Sequence, residues 1–338
     1  MANGGKTAGG KQLAGQPRWI VWGAALSLLA LLTMSVWTAT MWLRAPMPGA
    51  QRIEVTIPQG ASIGQAADIL EKAGVIESSE AFELLARTIG DKRDIQYGTY
   101  GFFEGEGWGS ILERMNRGDT LIVRIPIPEG IPSIQVAERL NGVGRLEGRV
   151  EAPAEGTVLP ATYEAKIGEK RADVLKRMQA AMTKELDGLW ERRSENIAVK
   201  SRDEAVILAA IVEKETGDPS ERRRIAGLYT NRLKAGMRLQ ADPTVIYPVT
   251  KGKPLRRGIR QSELRADNGY NTYVRDGLPQ GPITNPGRES LAAVLDPEVH
   301  DYLYMVADGT GGHAFARTYE EHQENVRKWR AYRREKGI

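Results

Sequence analysis

The longest uncharged stretch of the chain comes early. Residues 19–43 contain no Asp, Glu, Lys or Arg and centre on the apolar run at 24–34, and about 20 apolar residues suffice for a helix to cross a bilayer. Trp19 and Trp22 at one end and Trp37 and Trp42 at the other stand where interfacial aromatics are expected. A secretory signal is the rival reading, but its apolar region spans only ~7–15 residues and needs a small-residue cleavage site, for which Ala39-Thr40-Met41 is a poor match. The pattern therefore predicts an uncleaved transmembrane helix over 19–43. Ahead of it, residues 1–18 are rich in Gly and Ala and hold Lys6, Lys11 and Arg18 without an acidic residue. They read as a disordered cytoplasmic tail, with the body outside the cytoplasm. Arg44 and Arg52 weaken that contrast without reversing it.

Beyond a Pro/Gly stretch, 52–57 alternates like a strand. Ser62 caps a helix to about Ala73, with Ile63, Ala66, Ala67 and Leu70 at helical spacing. A second helix is expected over 79–89, a strand over 97–103, a helix over 108–117 ended by Gly118, and a strand over 120–127. These elements form one small α+β module, 50–127. The Pro128-Glu129-Gly130 turn opens a larger mixed α/β domain, 128–335. In it a helix starts near Ser133, 151–168 reads as irregular surface, and 172–190 is a long amphipathic helix. Residues 204–212 are too short to span a bilayer and read as a buried core helix. The overall class is α+β.

Composition narrows the chemistry. The 338 residues carry 47 basic and 43 acidic side chains, a net charge of +4, which argues against a nucleic-acid binder. Cysteine is absent, which excludes disulfides, thiolate metal sites and thiol nucleophiles. The three histidines, His300, His313 and His322, form no HExxH-type pair, which argues against a histidine-based metal hydrolase.

The buried helix runs directly into Glu213-Lys214-Glu215-Thr216. Glu215 follows Val212, Ile211 and Leu208 by three, four and seven residues and so continues their stripe. A carboxyl at the end of an apolar stripe loses solvation, its pKa rises, and it suits a general acid near neutral pH. Glu213 competes, in line with Val206, Ala209 and Ala210; helical phase favours Glu215 only modestly. Two solvated charges at a fraying helix end are the plain alternative.

The residues around and after this point resemble a known family. Ile211-Val212-Glu213-Lys214-Glu215-Thr216, the run 239–247, Tyr270-Asn271-Thr272-Tyr273, the Gly/Pro-rich stretch 277–287 and Gly312-His313-Ala314-Phe315 closely resemble, in the same order, the YceG-like endolytic murein transglycosylases. The likeness covers about residues 50–330, and the family's single N-terminal anchor agrees with the span at 19–43. The segment 60–67 separately resembles, as a weak signal, the start of a glycan-binding LysM-like module at 50–127, with a small α+β support domain as the plain alternative. The family likeness implies a catalytic domain at 128–335 with lysozyme-like active-site motifs and a reaction that needs no metal or organic cofactor. It makes Glu215 the catalytic acid/base. Gln240 and the Tyr270-Asn271 pair resemble the motifs lining the glycan cleft of lysozyme-like transglycosylases, with Tyr273 beside them. Asp242, Tyr247, Asn285 and His313 match pattern positions and are carried as substrate-binding candidates; a turn at Asn285 and a loop at His313 are the simpler explanations. One departure is Ala161, where relatives carry an acidic residue.

The implied reaction differs from ordinary glycosidase chemistry, which uses two carboxylates. One glutamate protonates the oxygen between MurNAc and GlcNAc, then takes the proton of the MurNAc C6 hydroxyl as it closes a 1,6-anhydro ring. The expected partners are peptidoglycan strands, the inner membrane, and peptidoglycan polymerases or penicillin-binding proteins. A hydrolytic muramidase using Asp242 as second carboxylate, and a non-catalytic glycan-binding scaffold, are the competing functions.

Overall fold

The computed structural model describes residues 18–46, 48–90 and 93–337. The tail expected at 1–18 lies outside them except for Arg18, which begins α1 (Arg18–Leu43). This helix is exposed over most of its length. Its part Trp22–Leu43, of mean hydropathy 1.6, is the one helix among the described residues long and apolar enough to cross a membrane.

The chain divides into two compact units, to Leu121 and from Ile122. In the first, β1 (Arg52–Ile57) leads to α2 (Ile63–Lys72) and α3 (Ser79–Thr88). Next come β2 (Gly98–Phe103) and α4 (Trp108–Arg117). Ser62 and Gln65 form a capping box at the start of α2, satisfying amides that a helix end leaves bare. Strands β1 and β2 pair antiparallel, with Val55 opposite Tyr100. Their inner residues pack with Leu70, Phe82, Trp108, Ile111 and Met115, all 1% exposed or less.

The second unit begins with β3 (Ile122–Pro126) and α5 (Ser133–Gly142), then β4 (Thr162–Lys166) and α6 (Arg171–Glu191). The strand expected to complete the first module is therefore reassigned: β3 pairs antiparallel with β4, Arg124 opposite Glu164. The stretch 151–168 is irregular only as far as Ala161. Helix α7 (Arg202–Glu215) follows, then a 3₁₀ turn, Pro219–Glu221, and α8 (Arg222–Lys234). The remaining elements are α9 (Asp242–Thr250), α10 (Gln261–Leu264), α11 (Arg288–Leu295), the hairpin β5 (Tyr304–Ala307) and β6 (His313–Ala316), and α12 (Tyr319–Lys336). Helix α7 is the axle of the unit. Its Leu208, Ala209, Ala210, Ile211 and Val212 are wholly buried in a core shared with Ile225 and Leu228 of α8 and Leu291 and Val294 of α11. A smaller core joins Ile125, Val136, Leu140, Val174 and Met178. The class is mixed α and β, with helices dominant and every described sheet two-stranded and antiparallel.

Candidate active site

Helix α7 carries both motif glutamates, and its last turn delivers them to different surroundings. Two residues apart is about 200° around a helix, so the pair cannot share a neighbour. The Glu213 carboxylate accepts from the Gly287 amide (2.9 Å) and the Ser290 hydroxyl (2.7 Å) at the start of α11. It lies 3.8 Å from Arg222, with a side chain 6% exposed. A carboxylate on a helix N-terminus meets bare amides and the positive end of the dipole, so Glu213 fastens α11 to α7.

Among the described residues Glu215 has one hydroxyl donor, Tyr229 of α8, whose phenol donates to Oε1 at 2.9 Å. Burial pushes the Glu215 carboxyl up to about 7, and the negative charge of Asp242 acts in the same direction. The Tyr229 hydrogen bond and the charges of His313 and Arg232 oppose the rise. A carboxyl balanced near neutrality can hold a proton and release it.

Asp242, in the segment after α8, is the residue whose charge reaches the same carboxyl. Gln240 is exposed between buried Leu239 and Ala241, and its φ of 51° places a non-glycine residue in the left-handed region. Such backbone costs about 1–3 kcal/mol and persists where its surroundings impose it. Here the Gln240 amide donates to the Thr272 carbonyl (3.2 Å) and the Ala241 amide to the Thr272 hydroxyl (3.0 Å). The Thr244 and Thr272 hydroxyls bond each other at 2.9 Å. Gln240 and the exposed Asp242 are thus held beside the Tyr270–Tyr273 turn, and the Tyr273 phenol donates to Asp242 Oδ1 at 2.5 Å. Tyr247 and Tyr270, both partly exposed, form a tilted ring pair with centroids 4.9 Å apart. His313 opens β6, and its Nδ1 lies 2.8 Å from Glu221.

Two candidates are sealed from solvent. Asn271 is fully buried. Its amide donates to the carbonyls of Glu263, Leu264 and Ala266, and its oxygen accepts from the Tyr273 amide. Asn285 is equally buried. It accepts from the Val158 amide and donates to Ile131, Ser133 and Glu155. Both shape loops, because a buried amide must satisfy its polar atoms inside the protein.

The structure adds residues that the sequence did not single out. Glu155, held above the usual carboxylate range by burial, accepts from the Ser133 amide (2.6 Å) and the Tyr247 phenol (3.1 Å). Glu221 is buried and gathers His313 and Thr216. Tyr229 and Arg232 are buried on the α8 face that includes Ile225 and Leu228. Polar-tipped side chains on an apolar stripe are the one signal that could have revealed the last two.

Comparison with known proteins now becomes informative. Residues 55–328 match the model of the YceG-like family. An endolytic murein transglycosylase of Bacillus subtilis (strain 168) is 30% identical over 319 residues, covering 84% of this chain and 86% of the relative. One from Streptococcus pneumoniae serotype 2 (strain D39) is 27% identical over 327 residues; the match covers 81% of this chain and 58% of that longer protein. A solved yceG-like protein from Listeria monocytogenes is 29% identical, with a TM-score of 0.49, over 81% of this chain and 99% of that one.

Proposed function

The chain belongs to the YceG-like family, and from that premise we propose that it is a membrane-anchored endolytic murein transglycosylase, a lyase acting on peptidoglycan. The observation that carries the reading is the Glu215 carboxyl, poised near neutral pH by burial and by Asp242. Protonated Glu215 is the general acid for the glycosidic oxygen between MurNAc and GlcNAc. The carboxylate it leaves takes the C6 hydroxyl proton as O6 closes on C1. The proton lost in the first transfer returns in the second, and no water is consumed. Gln240, Asp242, Tyr247, Tyr270, Tyr273 and His313 line the glycan site, with the aromatic pair as a face for sugar rings.

The exposed helix α1 and the basic residues before it support an inner-membrane anchor with a cytoplasmic N-terminus and a periplasmic body. Tethered there, the cleft meets strands as polymerases or penicillin-binding proteins extrude them, and a cut within a strand ends its growth. The strand–helix–helix–strand order of the first unit supports the LysM-like reading of that module.

The test is mass spectrometry of muropeptides after the full chain, in detergent, acts on purified peptidoglycan beside Glu215→Gln. Anhydro-MurNAc ends made by the wild type and missing with the variant are expected. Reducing ends would instead favour hydrolysis with Asp242 as second carboxylate, and no cleavage would favour a glycan-binding scaffold.

A further inference from the structure

Glu221 is a buried carboxylate that the reaction above leaves without a task. It ends the 3₁₀ turn Pro219–Glu221, and only 8% of it is exposed. Its Oε1 accepts from the backbone amide of His313 at 2.8 Å, while Oε2 lies 2.8 Å from the His313 ring Nδ1. The Thr216 hydroxyl donates to Oε2 at 3.3 Å. One carboxylate thus ties the residue next to Glu215 to both ends of His313. The neighbouring glycine serves the same contact, since a Cβ on Gly312 would lie 2.9 Å from Glu221 Oε1, closer than a side chain can come.

A carboxylate only accepts hydrogen bonds, so Nδ1 must carry the ring proton, and the tautomer of a histidine follows from the bond its other nitrogen makes. Nε2 is then the acceptor. No hydrogen bond engages it among the described residues, nor is it among their sealed, unpartnered atoms. His313 also lies near enough to Glu215 for its charge to act there.

We propose that Glu221 is a positioning residue for glycan cleavage: it holds the His313 imidazole with the proton on Nδ1, leaving Nε2 to accept a hydrogen bond from a sugar hydroxyl beside Glu215. The choice of a sugar hydroxyl rests on the transglycosylase reading; the tautomer does not. Glutamine at this position could donate to Nδ1, which would drive the proton to Nε2 and turn the acceptor into a donor. Aspartate keeps the acceptor on a shorter arm.

The experiment is ¹⁵N NMR of histidine-labelled full chain in detergent, at a pH where the ring is neutral. Only three histidines contribute, and His313→Gln assigns the signal. The Nδ1–H form is expected in the wild type and the Nε2–H form in Glu221→Gln. For anhydro-end formation, kcat/KM per folded molecule should fall about tenfold or more in Glu221→Gln, with partial recovery in Glu221→Asp. A wild-type ring protonated on Nε2 overturns the proposal without needing any variant to fold, and so does a folded Glu221→Gln protein whose kcat/KM stays within about twofold. A wild type that makes no anhydro ends would sink the sugar hydroxyl along with the enzymatic reading, while the tautomer would still decide whether Glu221 sets the ring.

Discussion

At the scale of single residues, Glu213 and Glu215 show what a sequence does and does not determine. Helical phase placed both on apolar stripes and separated them only modestly. What distinguishes them is a neighbour distant in sequence: the start of α11 for Glu213 and Tyr229 for Glu215. The burial of Asn271 and Asn285 was hidden for a similar reason, because whether a polar side chain is buried depends on contacts that no local pattern encodes. The two glutamates should part cleanly on substitution. Glu215→Gln should lower anhydro-end formation by at least about a hundredfold, the scale of a lost general acid, with the fold intact. Glu213→Gln should lose about 2 kcal/mol of stability, a Tm drop of roughly 4–8 °C, while the folded fraction still cleaves; melting curves beside turnover per folded molecule check both. The pH dependence has a definite sign. On the proposed mechanism the reacting form of Glu215 is protonated, so kcat/KM should be highest below about 7 and decline as pH rises through that value. Stability follows the same carboxyl. Its folded pKa lies above the unfolded one, so the folded chain holds the extra proton between about 4.5 and 7 and its stability falls across that window. Glu215→Gln should remove that slope, which denaturant titrations at pH 5 and pH 8 would reveal.

At the scale of elements, the sequence was most legible where one face of a helix meets one core. The expected bounds of α4 coincide with those observed, and α2, α3 and α6 agree to within a residue or so. The strands were harder. Alternation identified β3 but could not name its partner, and pairing with β4, about 40 residues on, moves it into the other unit. Five residues following a proline gave β4 itself too short a pattern to register. The irregular stretch before β4 holds the elements together through polar groups. Asn285 joins the loop at Val158, the entry to α5 and Glu155, and Glu155 in turn holds Tyr247 of α9. Removing that amide would strand several buried donors and acceptors, each worth about 1–3 kcal/mol. Asn285→Ala should therefore lower the urea midpoint by more than any single surface change. A variant with unaltered stability but weakened glycan binding would restore Asn285 as a ligand.

At the scale of the whole molecule, the proposed membrane anchor would confer directionality. A helix exposed over most of its length and with mean hydropathy 1.6 would be an aggregation hazard in water, and within a bilayer the same surface is satisfied. The charges flanking it predict an orientation: Lys6, Lys11 and Arg18 precede it, and positive charge beside a span favours the cytoplasmic side for that end. The proposed substrate exists only outside the cytoplasm. Protease added to spheroplasts of cells expressing the full chain with an epitope at each end should therefore remove the C-terminal epitope and spare the N-terminal one, and deleting residues 1–43 should release the body from membranes washed at high pH. Loss of the N-terminal epitope with survival of the C-terminal one would place Glu215 in the cytoplasm, away from any glycan strand. The enzymatic reading would then lose its substrate, whatever the geometry of the site.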